Sequence, residues 1–216
     1  MASVTKPTIT YFPIAGRAEV SRLILEDAGV DYDFVAVPYP QWADLKAKLS
    51  AAGKLPFGQL PLYEDPSGLV LVQSNTIARH LAKKHGYLGA SDDEAALVDQ
   101  MFEGVVDMLN LIAKVFWYTP ADQVADEKQK LLTESLPVQL NLFIKLLEKN
   151  GNTGFLVGDK LSLADLGLWV ALQLVFIKAP ESRDSLTEAF PPVAAFLDNI
   201  AQRPRILAYL TREVYH

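Results

Sequence analysis

The chain has 216 residues, enough for one large domain or two small ones, and 50% of its residues are hydrophobic. Its 20 basic and 26 acidic side chains give a net charge of −6. We therefore expect no nucleic-acid partner, because such proteins usually carry a basic domain or stripe. The absence of cysteine excludes disulfides, thiolate metal sites and a catalytic cysteine.

The first part of the chain, residues 1–85, alternates short apolar runs with helical stretches. Ser74 is placed to cap the last of these helices. Strands are predicted at 8–12, 32–37, 60–63 and 69–72. Helices are predicted at 17–28, 42–49 and 74–85. This order predicts a small α/β domain in which helices pack on a mixed sheet.

The remainder, residues 91–216, shows helical periodicity and no convincing strand. Capping boxes at residues 91–94 and 162–165 predict two helix starts. In this motif the serine accepts a first-turn N–H, while the acidic residue bonds back to the cap. A single helix is predicted over 122–150, with a kink at Pro137. The fold class is therefore α/β followed by all-α.

The most apolar run, residues 166–177, is too short to cross a membrane, which takes roughly 18–20 apolar residues. We interpret it as a buried core helix. The first residues lack the apolar core of a secretory signal. We therefore expect a cytoplasmic protein without a membrane partner.

The histidines offer little metal chemistry. His80 and His85 are five residues apart, so they do not share a helix face as a metal-binding pair would. The sequence also lacks a glycine-rich phosphate loop and a nucleophile elbow. We expect no metal site, and if this fold handles a thiol, the thiol must arrive with the substrate.

Five segments resemble segments of the cytosolic glutathione transferases. Residues 11–17, 57–61 and 73–77 resemble the glutathione-binding segments, and residues 94–99 and 155–159 resemble the helical half. They occur in the order of the family and are most similar to the pi and sigma classes, which use a tyrosine. The resemblance implies a thioredoxin-like amino-terminal domain that binds glutathione, followed by an all-helical domain that supplies a pocket for an electrophile.

The resemblance implies that Tyr11 is the catalytic residue. The thiolate is the nucleophile, and the pKa of a free cysteine thiol is near ~8.5. A hydroxyl that donates a hydrogen bond to the sulfur stabilises the thiolate and lowers this pKa. The implied activity is conjugation of glutathione, as a co-substrate, to hydrophobic electrophiles in detoxification, with no permanently bound cofactor. From the pattern alone, Tyr11 would be an ordinary strand aromatic.

The resemblance also implies how glutathione is held. Ser74 begins a helix, whose N–H groups attract a carboxylate, and Gln73 would meet the γ-glutamyl end. Pro61 matches the family's cis-proline, which would turn the backbone of Leu60 toward the cysteinyl part. The implied glutathione-binding set is Arg17, Trp42, Lys46, Lys48, Gln59, Leu60, Pro61, Gln73, Ser74 and Asp107.

One position in this set stays open. Trp42 can donate its indole N–H to the glycine carboxylate of glutathione, and a lysine shortly after it would neutralise the charge. Sigma-like spacing selects Lys46, whereas pi-like spacing selects Lys48. Solvated lysines are the alternative in both cases.

A homodimer is implied by two further residues. Asp107 aligns with an aspartate that reaches the neighbouring subunit's site, and Phe57 resembles the aromatic key that inserts into the partner's helical domain. The interface would then be isologous. The alternatives are a solvated acidic stripe for Asp107 and a local core contact for Phe57.

The resemblance implies an electrophile pocket walled by Phe12, Ile14, Trp117 and Tyr118. Two other functions stay open on the same scaffold. One is a glutathione-dependent isomerase of the prostaglandin type, which would return the thiolate unchanged. The other is a non-catalytic relative that binds ligands or resembles a lens crystallin.

Overall fold

The computed structural model describes residues 5–212, which form two compact units. The first unit consists of the described residues up to His85 together with those from Arg203 onward, and the second is Gly86–Gln202. The thioredoxin-like and helical parts expected from the sequence are both present. The stretch from Arg203 lies in the predicted helical domain, but its contacts group it with the first unit.

A four-stranded mixed sheet lies at the centre of the first unit. Strand β1 pairs parallel with β2 and antiparallel with β3, which pairs antiparallel with β4, in the order β2-β1-β3-β4. The parallel register aligns Tyr11 with Ala36, so the last residue of β1 is held by its neighbour. The strands are β1 (Thr8–Tyr11), β2 (Asp33–Ala36), β3 (Leu62–Glu64) and β4 (Val70–Val72).

Helices cover this sheet as the sequence predicts. Helix α1 packs against α3. Each helix buries an apolar face, which includes Leu23 on α1 and Ile77 on α3. Helix α1 ends at Gly29, whose left-handed φ of 68° favours glycine. The helices of this half are α1 (Glu19–Ala28), α2 (Trp42–Ala51) and α3 (Ser74–His85).

The second unit is built from helices. Helix α7 is buried along nearly its whole length and packs against α4, which confirms that the apolar run at 166–177 is a core helix. None of the helices within residues 5–212 is both long and apolar enough to cross a membrane. The helices are α4 (Asp92–Ala113), α5 (Val124–Lys130), α6 (Leu136–Lys149), α7 (Leu163–Lys178), α8 (Ser182–Ala189) and α9 (Pro191–Ala201).

The predicted helix over 122–150 runs without a break from Val124 to Lys149, with a π-helical turn, Leu131–Ser135, between α5 and α6. The N–H of Leu136 donates to the carbonyl of Leu131, so the hydrogen-bonding pattern widens by one residue at this point. Pro137 follows directly. Because proline has no N–H to donate, the wider turn accommodates it within the helical run.

The capping box at the start of α7 is complete and buried. Both carboxylate oxygens of Asp165 accept hydrogen bonds, from the Leu156 N–H at 2.7 Å, the Ser162 N–H at 2.8 Å and the Ser162 hydroxyl at 2.6 Å. The Ser162 oxygen in turn accepts the N–H of Asp165 at 3.4 Å. Burial raises the pKa of Asp165 to about 6, while these donors act in the opposite direction by favouring the carboxylate.

The capping box at the start of α4 differs from the expected form. The Ser91 hydroxyl accepts the Glu94 N–H at 3.2 Å, as predicted. The Glu94 carboxylate, however, accepts the N–H of Ala90 at 2.6 Å rather than that of the cap itself. The Glu94 side chain lies against Gly89, since a Cβ added to this glycine would be 2.6 Å from the Glu94 Cβ. This exposed box ties the preceding loop, rather than the cap, to the helix.

The last described helix, α10 (Pro204–Leu210), packs on α1. The Tyr209 hydroxyl donates to the buried carboxylate of Glu19 at 2.8 Å, and Arg22 lies 3.2 Å from the same carboxylate. Burial acts to lower the pKa of Arg22, but Glu19, Tyr209 and Tyr32 together raise it further, so the guanidinium stays charged. Arg203 adds a bidentate pair with Asp27, with both bonds at 2.8 Å.

We expect Asp165→Ala to lower the free energy of unfolding by at least about 3 kcal/mol, because each buried donor that loses its partner costs about 1–3 kcal/mol. The matched control is Ser91→Ala, which removes an exposed cap and should cost about 1 kcal/mol. Urea unfolding followed by circular dichroism measures both variants. Equal losses of unfolding free energy in the two variants would show that burial does not determine how much the capping box at Ser162 contributes.

Candidate active site

Tyr11 is the last residue of β1 and is buried, with 6% of its surface exposed. Its carbonyl accepts the N–H of Val37 at 2.8 Å, which extends the pairing of β1 with the chain that follows β2. The backbone of the residue is therefore fixed by the sheet, and its side chain lies at the point where the strand ends.

The chain turns back over the Tyr11 ring directly after the strand. The N–H of Arg17 donates to the Tyr11 hydroxyl at 3.1 Å. Gly16 lies so close that a Cβ at this position would be 2.9 Å from the same oxygen. The Glu19 N–H donates to the Gly16 carbonyl at 3.0 Å, which joins this turn to the first turn of α1. Arg17 itself is an exposed residue.

Aromatic contacts connect this strand end to α2. The Phe12 ring stacks on Tyr39 with centroids 4.7 Å apart and meets Trp42 edge-on at 5.7 Å. The Tyr11 and Phe12 rings are also in edge contact at 5.5 Å. The structure thus brings the predicted residues Phe12 and Trp42 together. Tyr39 also belongs to this aromatic group. It was not predicted as a site residue, although an aromatic residue three positions before Trp42 could have indicated it.

Helix α2 orients its two candidate lysines differently. Lys46 lies one turn after Trp42, and its Nζ is 6.0 Å from the centroid of the Trp42 ring. Its Cε would lie 3.0 Å from a Cβ on Gly58, next to Gln59. Lys48 is two residues further on, about 200° around the helix, and is exposed.

The segment before β3 has the predicted conformation. The peptide bond between Leu60 and Pro61 is cis, which confirms the expectation from the resemblance. Both residues are buried, and Gln59 before them is exposed. Because β3 pairs with β1, this segment approaches the sheet next to the strand that carries Tyr11.

Helix α3 begins at Ser74 rather than after it. The carbonyl of Gln73 accepts the N–H of Ile77 at 3.0 Å, so Gln73 takes the flanking position and Ser74 is the first helical residue. The expectation that Ser74 is the N-cap is therefore off by one residue. Gln73 has a φ of 70°, a conformation that is uncommon for residues other than glycine and that recurs at functional sites.

The other predicted site residues are distributed over both units. Trp117 and Tyr118 belong to the helical unit, where they are 41% and 73% exposed, and the Lys178 ammonium lies 5.0 Å from the Trp117 ring centroid. Asp107 is exposed on α4. In the first unit, Ile14 is half-buried and Phe57 is 65% exposed. Among residues 5–212, no group of three side chains could hold a metal ion.

These features define a class of protein: a thioredoxin-like unit that carries a buried tyrosine hydroxyl at the end of its first strand, joined to a helical unit. The chain belongs to the glutathione S-transferase family. Residues 7–83 match the model of the glutathione S-transferase N-terminal domain, and residues 106–213 match that of the C-terminal domain. The family expected from the sequence is thus confirmed.

Known relatives match nearly the whole chain. Glutathione S-transferase P 1 of Xenopus laevis is 36% identical over 203 residues, which is 94% of this chain and 90% of that protein. The structure of prostaglandin synthase D of Nilaparvata lugens has a TM-score of 0.82 and 26% identity, covering 96% of this chain and 98% of that one. Monomeric Na-GST-3 of the hookworm Necator americanus has a TM-score of 0.81 and 28% identity, covering 95% and 96%.

Proposed function

We propose that this chain is a glutathione transferase in which Tyr11 stabilises the thiolate of bound glutathione for attack on hydrophobic electrophiles. The observation that carries the proposal is the buried Tyr11 hydroxyl, fixed at the end of β1 by the N–H of Arg17. Membership of the family supports the same activity. The resemblance to cytosolic transferases supports action in the cytoplasm.

The chemistry needs a hydroxyl donor close to the sulfur. A hydrogen bond to a charged acceptor is about twice as strong as one between neutral groups, and it favours the charged form of the thiol. The thiolate then forms a bond to an electrophilic carbon, and the leaving group departs with its bonding electrons. No covalent intermediate with the protein and no permanently bound cofactor are required. Positioning of the two reactants supplies a further part of the acceleration.

The first unit offers contacts for each part of glutathione. The amino terminus of α3 at Ser74 suits the γ-glutamyl carboxylate, because helix N-termini present free N–H groups to anions. Gln73 precedes it and has the uncommon positive φ of 70°. Gln59 and the main chain of Leu60 would pair with the cysteinyl part, and Pro61 supports their turn.

We assign the glycine carboxylate to Trp42 and Lys46. Both residues lie on the same face of α2, and the Lys46 ammonium is beside the Trp42 ring. The lysine also passes over Gly58, next to the Gln59 segment. Lys48 lies on a different face of the helix, so the sigma-like spacing describes this chain better than the pi-like spacing.

The electrophile would meet Phe12 and Ile14 in the first unit and Trp117 and Tyr118 in the second. All four have apolar surface that is at least partly exposed. Tyr118 additionally carries an exposed hydroxyl that can donate a hydrogen bond to a substrate. Arg17 adds a positive charge near the thiolate.

We propose a homodimer as the active unit. Phe57 exposes 65% of a large aromatic side chain just before the glutathione-binding segment, as expected for a key residue. Asp107, exposed on α4, would reach the γ-glutamyl ammonium in the partner's site.

We expect Tyr11→Phe to lower kcat/KM at neutral pH by about 100-fold, the size of effect seen when one electrostatic donor is removed from an active site. The pKa of bound glutathione should rise by about 2 units, which corresponds to about 2.7 kcal/mol. Conjugation of a chlorodinitrobenzene and thiolate absorbance against pH measure these changes. The control is Tyr39→Phe, which keeps the ring stacked on Phe12 and should leave the thiol pKa unchanged. An unshifted thiol pKa in Tyr11→Phe would reject the mechanism.

We expect Lys46→Gln to raise KM for glutathione by about 10-fold, because a hydrogen bond between charged groups contributes about 1.5–3 kcal/mol. The kcat at saturating glutathione should change little. The matched control is Lys48→Gln, which removes a lysine on another face of the same helix and should leave KM within about 2-fold. The opposite order of effects would favour the pi-like alignment.

We expect Phe57→Ala to shift the protein from dimer to monomer at micromolar concentration, because large aromatic anchors supply much of the energy of an interface. Light scattering after gel filtration measures the mass. Leu142→Ala removes an exposed apolar side chain from α6 and should leave the mass unchanged. A wild-type protein that runs as a monomer would contradict the homodimer and leave the Tyr11 chemistry intact.

A further inference from the structure

Gly16 has no conformational reason to be glycine. Its φ does not fall in the left-handed region, unlike that of nine other glycines of the chain. The restriction comes from its neighbour instead. A Cβ at this position would lie 2.9 Å from the Tyr11 hydroxyl oxygen, 3.3 Å from Cε1 and 3.5 Å from Cζ. The shortest of these distances is closer than a carbon and an oxygen can approach without one of them moving.

The atom that follows Gly16 along the chain makes the hydrogen bond to the tyrosine. The N–H of Arg17 donates to the Tyr11 oxygen at 3.1 Å, and the Gly16 carbonyl is held by the Glu19 N–H at 3.0 Å. Ala18, the next residue, is buried. The peptide between Gly16 and Arg17 is therefore fixed by α1 on one side and lies against the phenol on the other.

This arrangement determines how the hydroxyl can act. A tyrosine hydroxyl has one O–H to donate and two acceptor positions. The Arg17 N–H fills one acceptor position, and donation into an oxygen polarises its own O–H and makes it a stronger donor. Under the proposed function, the bond orients the oxygen so that its O–H can donate to the sulfur of glutathione when glutathione binds.

We propose that Gly16 is a positioning residue for catalysis, whose missing side chain lets the Arg17 N–H close on the Tyr11 hydroxyl and direct its proton to the thiolate. The inference rests on the proposed function. It makes Gly16 necessary for the position of one oxygen atom, rather than for the folding of the turn.

Gly16→Ala tests this directly. A methyl group must push the phenol oxygen or the Arg17 N–H away, so we expect the pKa of bound glutathione to rise by about one unit and kcat/KM at neutral pH to fall by about 10-fold. KM for glutathione should change by less than about 3-fold, because the contacts proposed at Ser74 and Trp42 are on other elements. The control is Gly167→Ala, whose Cβ would be 3.0 Å from Phe102 in the helical unit. It should lower the melting temperature and leave the thiol pKa unchanged.

The Tyr11→Phe background makes the test decisive. With the oxygen removed, the added methyl group loses its closest neighbour, so Gly16→Ala should have no further effect on the thiol pKa or on kcat/KM. A further loss of the size seen in the wild type would overturn the inference. So would an unshifted thiol pKa in the single variant. If Gly16→Ala does not fold, the double variant decides the question. A double variant with the melting temperature of Tyr11→Phe supports a steric clash between the added methyl group and the Tyr11 oxygen, and a double variant that also fails to fold rejects it. Failure of the proposed function is distinct, since Tyr11→Phe alone would then leave the thiol pKa unchanged.

Discussion

The hydrogen bond from the Arg17 main chain to the Tyr11 hydroxyl is the interaction on which the site depends. Its donor is a backbone N–H in the turn before α1, and its acceptor is the side-chain oxygen of the last residue of β1. The donor is therefore fixed by the main chain, and the bond in turn restrains the rotamer of the Tyr11 side chain. The bond places a single oxygen atom with the precision of the sheet and the helix that flank it.

Other parts of the first unit serve the same placement. Strand β3 pairs with β1, and the cis peptide between Leu60 and Pro61 precedes it. The hairpin of β3 and β4 then leads into the unusual φ of Gln73 and the amino terminus of α3. The glutathione contacts that we propose thus come from successive connections of one sheet, which is how a small fold can hold a flexible tripeptide.

Local motifs could mostly be predicted from the sequence, whereas distant contacts could not. The capping box at Ser162 has the expected form, and the box at Ser91 has its serine half but not its carboxylate half. Pro137 lies inside a helical run, as predicted, but the π-helical turn before it could not be predicted, because apolar periodicity continues across such a turn. Spacing alone could not choose between Lys46 and Lys48, since their order on the helix says nothing of what each side chain meets. The role of Gly16 was missed for a similar reason: its restriction comes from a ring five residues earlier.

The pairing of α10 with α1 has a consequence for how the protein is made. Arg203 and Asp27 are 176 residues apart, and Tyr209 and Glu19 are 190 apart. The ribosome completes the whole helical unit before it synthesises these partners. Vectorial synthesis therefore leaves α1 without its covering helix until the helical unit has been made, and the first unit is completed only after the second.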